Sequence, residues 1–217
     1  MKTNPKLLFQ LVLISTFLLI SSSMYAQDSI PTRIGIKGGL NLSTLYAENV
    51  DDTKMLTGFN LGLFAKLPLS DHFAIQPELY YTTKGAEVKY NNAFVDGTAR
   101  FNLNYIELPI LLVVNITDFV NFHVGPYAAY LISGKAKNES NINLFDFEEN
   151  LDTDDYNKFD LGIAAGVGLD FKAISLGLRY NHGTTKIGKE ETFLGTTYTF
   201  PDAKNGVLSL YLSLSLN

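Results

Sequence analysis

The sequence has no cysteine and no tryptophan, and it carries only 7 prolines and 3 histidines in 217 residues. Without cysteine there is no disulfide framework, no thiolate nucleophile and no cysteine-ligated zinc. Charge is also sparse: 18% of residues, with 17 Lys and Arg against 22 Asp and Glu, a net charge of −5. That balance excludes the basic stripe that binds nucleic acid. Helical periodicity is missing as well. Past residue 20 no segment sustains a 3.6-residue period, and no apolar run reaches the roughly 18 residues of a spanning helix. What remains is 46% apolar content with 12 Tyr and 15 Phe. This is too apolar for disorder and enough for one domain with a sizeable core.

The first segment differs from the rest. MKTNPK supplies two lysines, LLFQLVLISTFLLI an apolar run, and SSSMYA small residues before QDS. This three-part order is that of a secretory signal peptide at 1–26, cleaved after Ala26, with a mature domain at 27–217. A retained membrane anchor is the other reading, since the run is only slightly short of a spanning helix.

The mature chain alternates with a period of two. In FDLGIAAGVGLDF, Phe159, Leu161, Ile163, Ala165, Val167, Leu169 and Phe171 oppose Asp160, Gly162, Ala164, Gly166, Gly168 and Asp170. Eight such segments recur, beginning near Ile34, Phe59, Phe73, Ile106, Val120, Phe159, Ile174 and Leu208. Each is near the length that crosses a bilayer when tilted. Short turns at LPLSDH, NITDF and FKAI alternate with long polar connections at roughly 44–57, 85–99, 135–157 and 182–205. The pattern predicts an all-β fold, an eight-stranded antiparallel up-and-down transmembrane β-barrel with short periplasmic turns and long outer loops.

In such a barrel the leucine rows face lipid and the glycine-rich rows face a lumen filled by side chains. The inner rows then hold Lys37, Lys66, Glu78, Glu107, Asp160, Asp170 and Arg179, three cations against four anions. Near balance is required, because unpaired buried charge is costly. The opposite reading, a secreted soluble barrel, puts leucine in a ligand-binding core and charge in water. Glycine on a solvated strand face argues against it.

IGIKGGLNLS, FAIQPELYYTTKGAE, LNYIELPILL, VGPYAAYLISGK and FDLGIAAGVGLDF followed by LGLRYNHG resemble the PorT-like, or porin-family, outer-membrane β-barrel proteins of Bacteroidetes-type bacteria. The likeness runs in order along the mature chain. It implies a small barrel similar to the OmpA and OmpX types, in the Gram-negative outer membrane, and a link to protein secretion for some relatives. The chain departs from many outer-membrane barrels in ending on Asn217 rather than an aromatic residue.

No catalytic motif stands out. His72 falls in a turn, His123 on an inner row and His182 at the base of an outer loop, so a three-histidine metal site is not expected. IKGGLN lacks the spacing of a phosphate loop and precedes no helix. The acidic stretch NESNINLFDFEENLDTDDYN lacks the ordered spacing of an EF-hand, and reads as a solvated loop. Within it Phe145, Phe147, Asp152, Asp154 and Asp155 are the candidate interaction residues. Tyr46, Tyr81, Tyr90, Tyr105, Phe119, Phe122, Phe171, Tyr180 and Tyr198 are candidates for the two interfacial girdles. The expectation is a monomeric, non-enzymatic barrel without cofactor or metal. Its partners are outer-membrane lipid and, through the loops, a protein; a narrow pore is the alternative.

Overall fold

The computed structural model describes residues 31–47, 53–91, 96–140, 147–153, 156–193, 196–200 and 203–217, and the expected signal peptide lies outside them. Twelve strands follow in chain order: β1 (Arg33–Ala47), β2 (Thr53–Lys54), β3 (Leu56–Pro68), β4 (Phe73–Asn91), β5 (Asp96–Asn115), β6 (Val120–Ser140), β7 (Phe147–Leu151), β8 (Phe159–Phe171), β9 (Ile174–Lys186), β10 (Lys189–Phe193), β11 (Thr196–Phe200) and β12 (Ala203–Ser215). Eight of them, β1, β3, β4, β5, β6, β8, β9 and β12, pair antiparallel with their neighbours. The wall closes where β1 meets β12 over Gly35↔Ser215 to Ala47↔Ala203. Closure leaves no open edge in the part of the chain that spans a bilayer, the condition for burying a sheet in lipid.

The register turns the two-residue rhythm into two surfaces. Leu40, Leu61, Leu63, Ile163 and Leu212 are half or more exposed on the outside, while Tyr80, Tyr127, Tyr211 and Ala164 are buried inside. The lumen glycines make room for these rings. A Cβ on Gly162 would run into the Tyr127 ring, and one on Gly177 into Tyr211. The soluble-barrel reading is thereby corrected: the leucine rows line no internal cavity.

Three tight turns cluster at one end. Ser70 Oγ accepts from the backbone N–H groups of His72 and Phe73. Thr117 Oγ1 does the same for Phe119 and Val120. Between β8 and β9 only two residues intervene, with Lys172 at φ +51°. Both chain termini of the barrel lie at this end, where Ile34 N–H donates to Asn217 Oδ1 at 2.8 Å.

The other end departs from expectation. Strand continues well into the ranges 85–99 and 135–157: β4, β5 and β6 run 19, 20 and 21 residues, against 13 for β8. β7 then pairs with β6 from Asn138↔Phe147 to Gly134↔Leu151, and β2 pairs with β4. Above the bilayer the outward face is polar, with Glu87, Arg100 and Lys137 in one row, so pairing continues after the outward apolar row has stopped. The ranges 44–57 and 182–205 likewise contain the ends of β1, β9 and β12, the start of β3, and the β10–β11 hairpin. An extra residue, Ile132, bulges from β6 where Asn104 faces Ser133 and Tyr105 faces Leu131, re-aiming the strand as it leaves the wall.

Aromatic pairs frame the exposed band. Tyr130 packs on Phe159 at 5.3 Å and Phe59 on Tyr81 at 5.7 Å at the outer end, and Phe119 on Phe171 at 6.5 Å at the turn end. At about 3.3 Å per residue, the 13 residues of β8 span about 40 Å, or about 30 Å along the axis for a tilt near 40°. That matches the hydrocarbon core of a bilayer. Tyr105 is the exception to the girdle expectation: it shares parity with Glu107 and is 1% exposed inside the lumen. The side chains of Tyr90 and Tyr198 lie outside the described ones.

Leu212 sits at the middle of the outward leucine row of β12 and is 56% exposed. Leu212→Arg is expected to destabilise the folded barrel by about 2–4 kcal/mol in bilayers. Reversible unfolding in vesicles measures it.

A layered lumen and an extracellular ridge as the candidate functional site

The lumen charges form three layers. Nearest the short turns, Lys66 meets Asp170 at 2.9 Å, and Asn121 donates to the same carboxylate at 3.0 Å. A polar cavity of about 20 Å³ opens beside them, lined in part by Arg33, Gln76 and Ser213, with room for one or two waters. In the middle layer Glu78 accepts both guanidinium N–H groups of Arg179, at 2.6 and 2.9 Å, and Lys37 at 2.9 Å. Gln76 donates to it as well. Arg179 Nε also donates to His123 Nε2 at 3.3 Å, which leaves Nδ1–H to donate to Asn121 Oδ1 at 3.1 Å. Lys37 lies 3.6 Å over the Tyr211 ring.

The outer layer is organised by a residue absent from the sequence-based set. Lys84 bridges Glu107 at 2.6 Å and Asp160 at 2.8 Å. Tyr80 and Asn181 donate to Glu107, and Asn205 to Asp160. The expected ratio of three cations to four anions is therefore corrected to four against four, with Lys84 joining Lys37, Lys66 and Arg179. Neutrality holds for the ensemble and not for each layer: the middle one carries an extra cation and the outer one an extra carboxylate. Fully buried groups so arranged are tolerable only with this degree of pairing and hydrogen bonding.

Above these charges the barrel is closed by apolar packing. Leu103, Tyr105, Leu131 and Ile187 are buried together, with Leu45, Leu151 and Tyr156 packed against them.

The long strands raise a ridge beyond the cap. The paired positions Glu87↔Arg100, Arg100↔Lys137 and Lys137↔Glu148 set a charged row across β4, β5, β6 and β7. Arg100 bonds Glu87 at 2.9 Å and Glu139 at 2.7 Å, Lys137 bonds Glu139 at 2.6 Å, and Lys135 bonds Glu148 at 3.2 Å. Such exposed pairs contribute little each and act chiefly to keep the sheet solvated and in register. Of the interaction candidates, Asp152 is exposed just after β7 and Phe147 opens β7, while Phe145, Asp154 and Asp155 lie outside the described residues.

The histidines do not converge. His72 is in a turn, His123 is in the lumen, and His182 stands on the outward face of β9 beside Tyr46 and Tyr180. Among the described residues no group of three or more His, Asp or Glu side chains is arranged to hold a metal ion.

A closed eight-stranded wall with an apolar outer band, a charge-filled lumen and strands extended at one end defines an outer-membrane β-barrel protein. The chain belongs to the family described as outer membrane protein beta-barrel domain, which matches residues 25–188. Among solved structures it is similar to Ail, the attachment invasion locus protein of Yersinia pestis, at 16% identity over 86% of this chain and 100% of that one, TM-score 0.49. Neisserial surface protein A aligns at 16% identity over 86% and 100%, TM-score 0.47. The translocator domain of the autotransporter NalP from Neisseria meningitidis aligns at 12% over 94% and 95%, TM-score 0.35. No curated protein matches the sequence.

Removing Lys84 alone strands two buried carboxylates. Lys84→Ala is expected to cost about 3–5 kcal/mol, and neutralising all three as Lys84→Met, Glu107→Gln and Asp160→Asn to recover most of it. Urea titration in micelles separates the two. On the ridge, the Lys137 and Arg100 side chains beside Glu139 hold its carboxyl below its ordinary 4.5. A lowered carboxyl stabilises fully above its unfolded value and loses that contribution as pH falls through the folded one. Hydrogen exchange over 97–101 and 135–140 should therefore rise on acidification, and Glu139→Gln should flatten that dependence.

Proposed function

We propose that this protein is a non-conducting outer-membrane anchor that presents its ridge, together with the acidic segment of the sequence that carries Phe145, Phe147, Asp152, Asp154 and Asp155, to a protein partner outside the cell. The observation that carries the reading is the contrast between the barrel's two halves. The lumen is filled by paired charges under an apolar cap, and the strands invest about seven further residues each in a solvated sheet on one side of the barrel. A pore has no use for either feature, and a catalyst requires a reactive group with access to substrate, whereas the charged groups here are spent on one another. The resemblance to PorT-like barrels supports taking the partner from the protein-secretion apparatus, and supports export by the leader at 1–26 ahead of insertion as a monomer.

Planar-bilayer recordings test the first half: the wild-type barrel should show no steady open level, and a large constant conductance would restore the pore. For the second half, a photo-crosslinker at Glu149 on β7 should join the barrel to a discrete protein in intact cells, whereas one at the outward Leu61 should reach only lipid. Equal crosslinking at the two positions contradicts the reading.

A further inference from the structure

The periplasmic mouth of the lumen carries more positive charge than its carboxylates neutralise. Arg33 on β1 stands directly opposite Lys66 on β3. Opposed residues of an antiparallel sheet share a face, and like charges placed so repel. Lys66 has Asp170 at 2.9 Å, whereas Arg33 contacts no carboxylate among the described residues and donates to the Lys172 carbonyl at 3.2 Å. The next layer adds to the imbalance, since Lys37 and Arg179 share the single carboxylate of Glu78. In this half of the barrel Arg33, Lys37, Lys66 and Arg179 thus face only Glu78 and Asp170. Asp71, Asp118 and Lys172, the other charged residues described at this end, are exposed in the turns.

The polar cavity lies within this excess, and Arg33, Lys66, Tyr211 and Ser213 are among the residues that line it. Ser213 stands opposite Lys37 on β1 and opposite Ser175 on β9. Ser213 and Tyr211 are only 7% and 6% exposed, yet neither hydroxyl has a hydrogen-bond partner among the described residues. A buried hydroxyl left so is costly, and both are left to the cavity that their residues line. Lys37 Nζ, 3.6 Å over the Tyr211 ring, draws electron density from the phenol and strengthens its O–H as a donor. The volume of about 20 Å³ suits one monatomic ion and is small for an oxyanion.

We infer that this cavity is a binding site for a single halide ion, which in the periplasm is chloride. The Ser213 and Tyr211 hydroxyls donate to it, and Arg33 and Lys66 supply the opposing charge. A water in the same place would satisfy the hydroxyls but leave the cations unmatched, and that excess selects an anion. Arg33 is half-buried at the rim, so the ion enters and leaves from the periplasm and needs no passage through the lumen.

The test uses the full folded barrel in detergent. Its urea midpoint is followed at constant ionic strength while sodium gluconate, whose anion is too large for the cavity, is exchanged for sodium chloride. The midpoint should rise with chloride, because an ion that binds only the folded barrel stabilises it by mass action. The double variant Arg33→Gln with Ser213→Ala should need roughly tenfold more chloride for the same shift, and Arg33→Lys should respond nearly as wild type. Lys135→Gln on the ridge should leave the response unchanged, and every variant should keep the heat-dependent gel shift of a folded barrel. Crystals soaked in sodium bromide should show one anomalous peak beside Arg33, Tyr211 and Ser213. That peak needs no variant, so it decides the matter even where the double variant does not fold. Equal midpoints in the two salts, an equal chloride response in wild type and the double variant, or a cavity without the bromide peak would overturn the assignment. Stabilisation by sulfate that the double variant loses would overturn it too, by making the site one for oxyanions.

Discussion

The structure depends on one constraint: a closed wall of eight strands encloses a space too narrow to hold bulk water and too polar to collapse dry. Every group that points inward must find its partner among the other inward groups. The three layers of ion pairs are the solution. Glu78 holds Arg179 and Lys37, Lys84 holds Glu107 and Asp160, and Lys66 holds Asp170 nearest the periplasm. Tyrosine rings fill the space between them, lying over glycines on neighbouring strands. The wall fixes the distances, and the charges in turn tie strands that are far apart in the chain, such as β4 to β9 and β8.

The ends of this filled cylinder are different. The periplasmic mouth is polar and leaves a small cavity beside Lys66 and Asp170. The extracellular mouth is closed by leucines and tyrosines from β5 and β6 with Ile187. Outside it the surface is also divided. One side carries a ridge where Arg100, Lys135 and Lys137 pair with carboxylates, and the other carries the outward ring cluster of Tyr46, Tyr180 and His182.

Much of the wall was legible in the sequence, because a period of two has only two phases and the leucine rows of β3, β8, β9 and β12 select one. The inner charges on those rows followed directly. Lys84 was not legible for a local reason: it sits in TTKGAE, a polar run that looks like the end of a strand. Gly85, at φ +148°, takes a backbone conformation that suits glycine and carries β4 onward, so that Ala86 also turns inward. The ridge was hidden by the same physics. Beyond the bilayer the outward face of β4, β5 and β6 no longer needs to be apolar, and with Glu87, Arg100, Lys135 and Lys137 on it the two-residue hydropathic alternation weakens. Tyr105 shows the limit of composition: as an aromatic near a strand end it resembled a girdle residue, but its parity with Glu107 places it in the lumen.

The most direct test of leucine outside and charge inside is the electrophoretic mobility of the protein from an outer-membrane fraction, run unheated and boiled. The account predicts that the protein is found in that fraction, released only by detergent, with a mobility that changes on boiling as the closed barrel opens. A protein recovered from the soluble fraction, with one mobility before and after heating, would contradict it and turn the leucine rows inward.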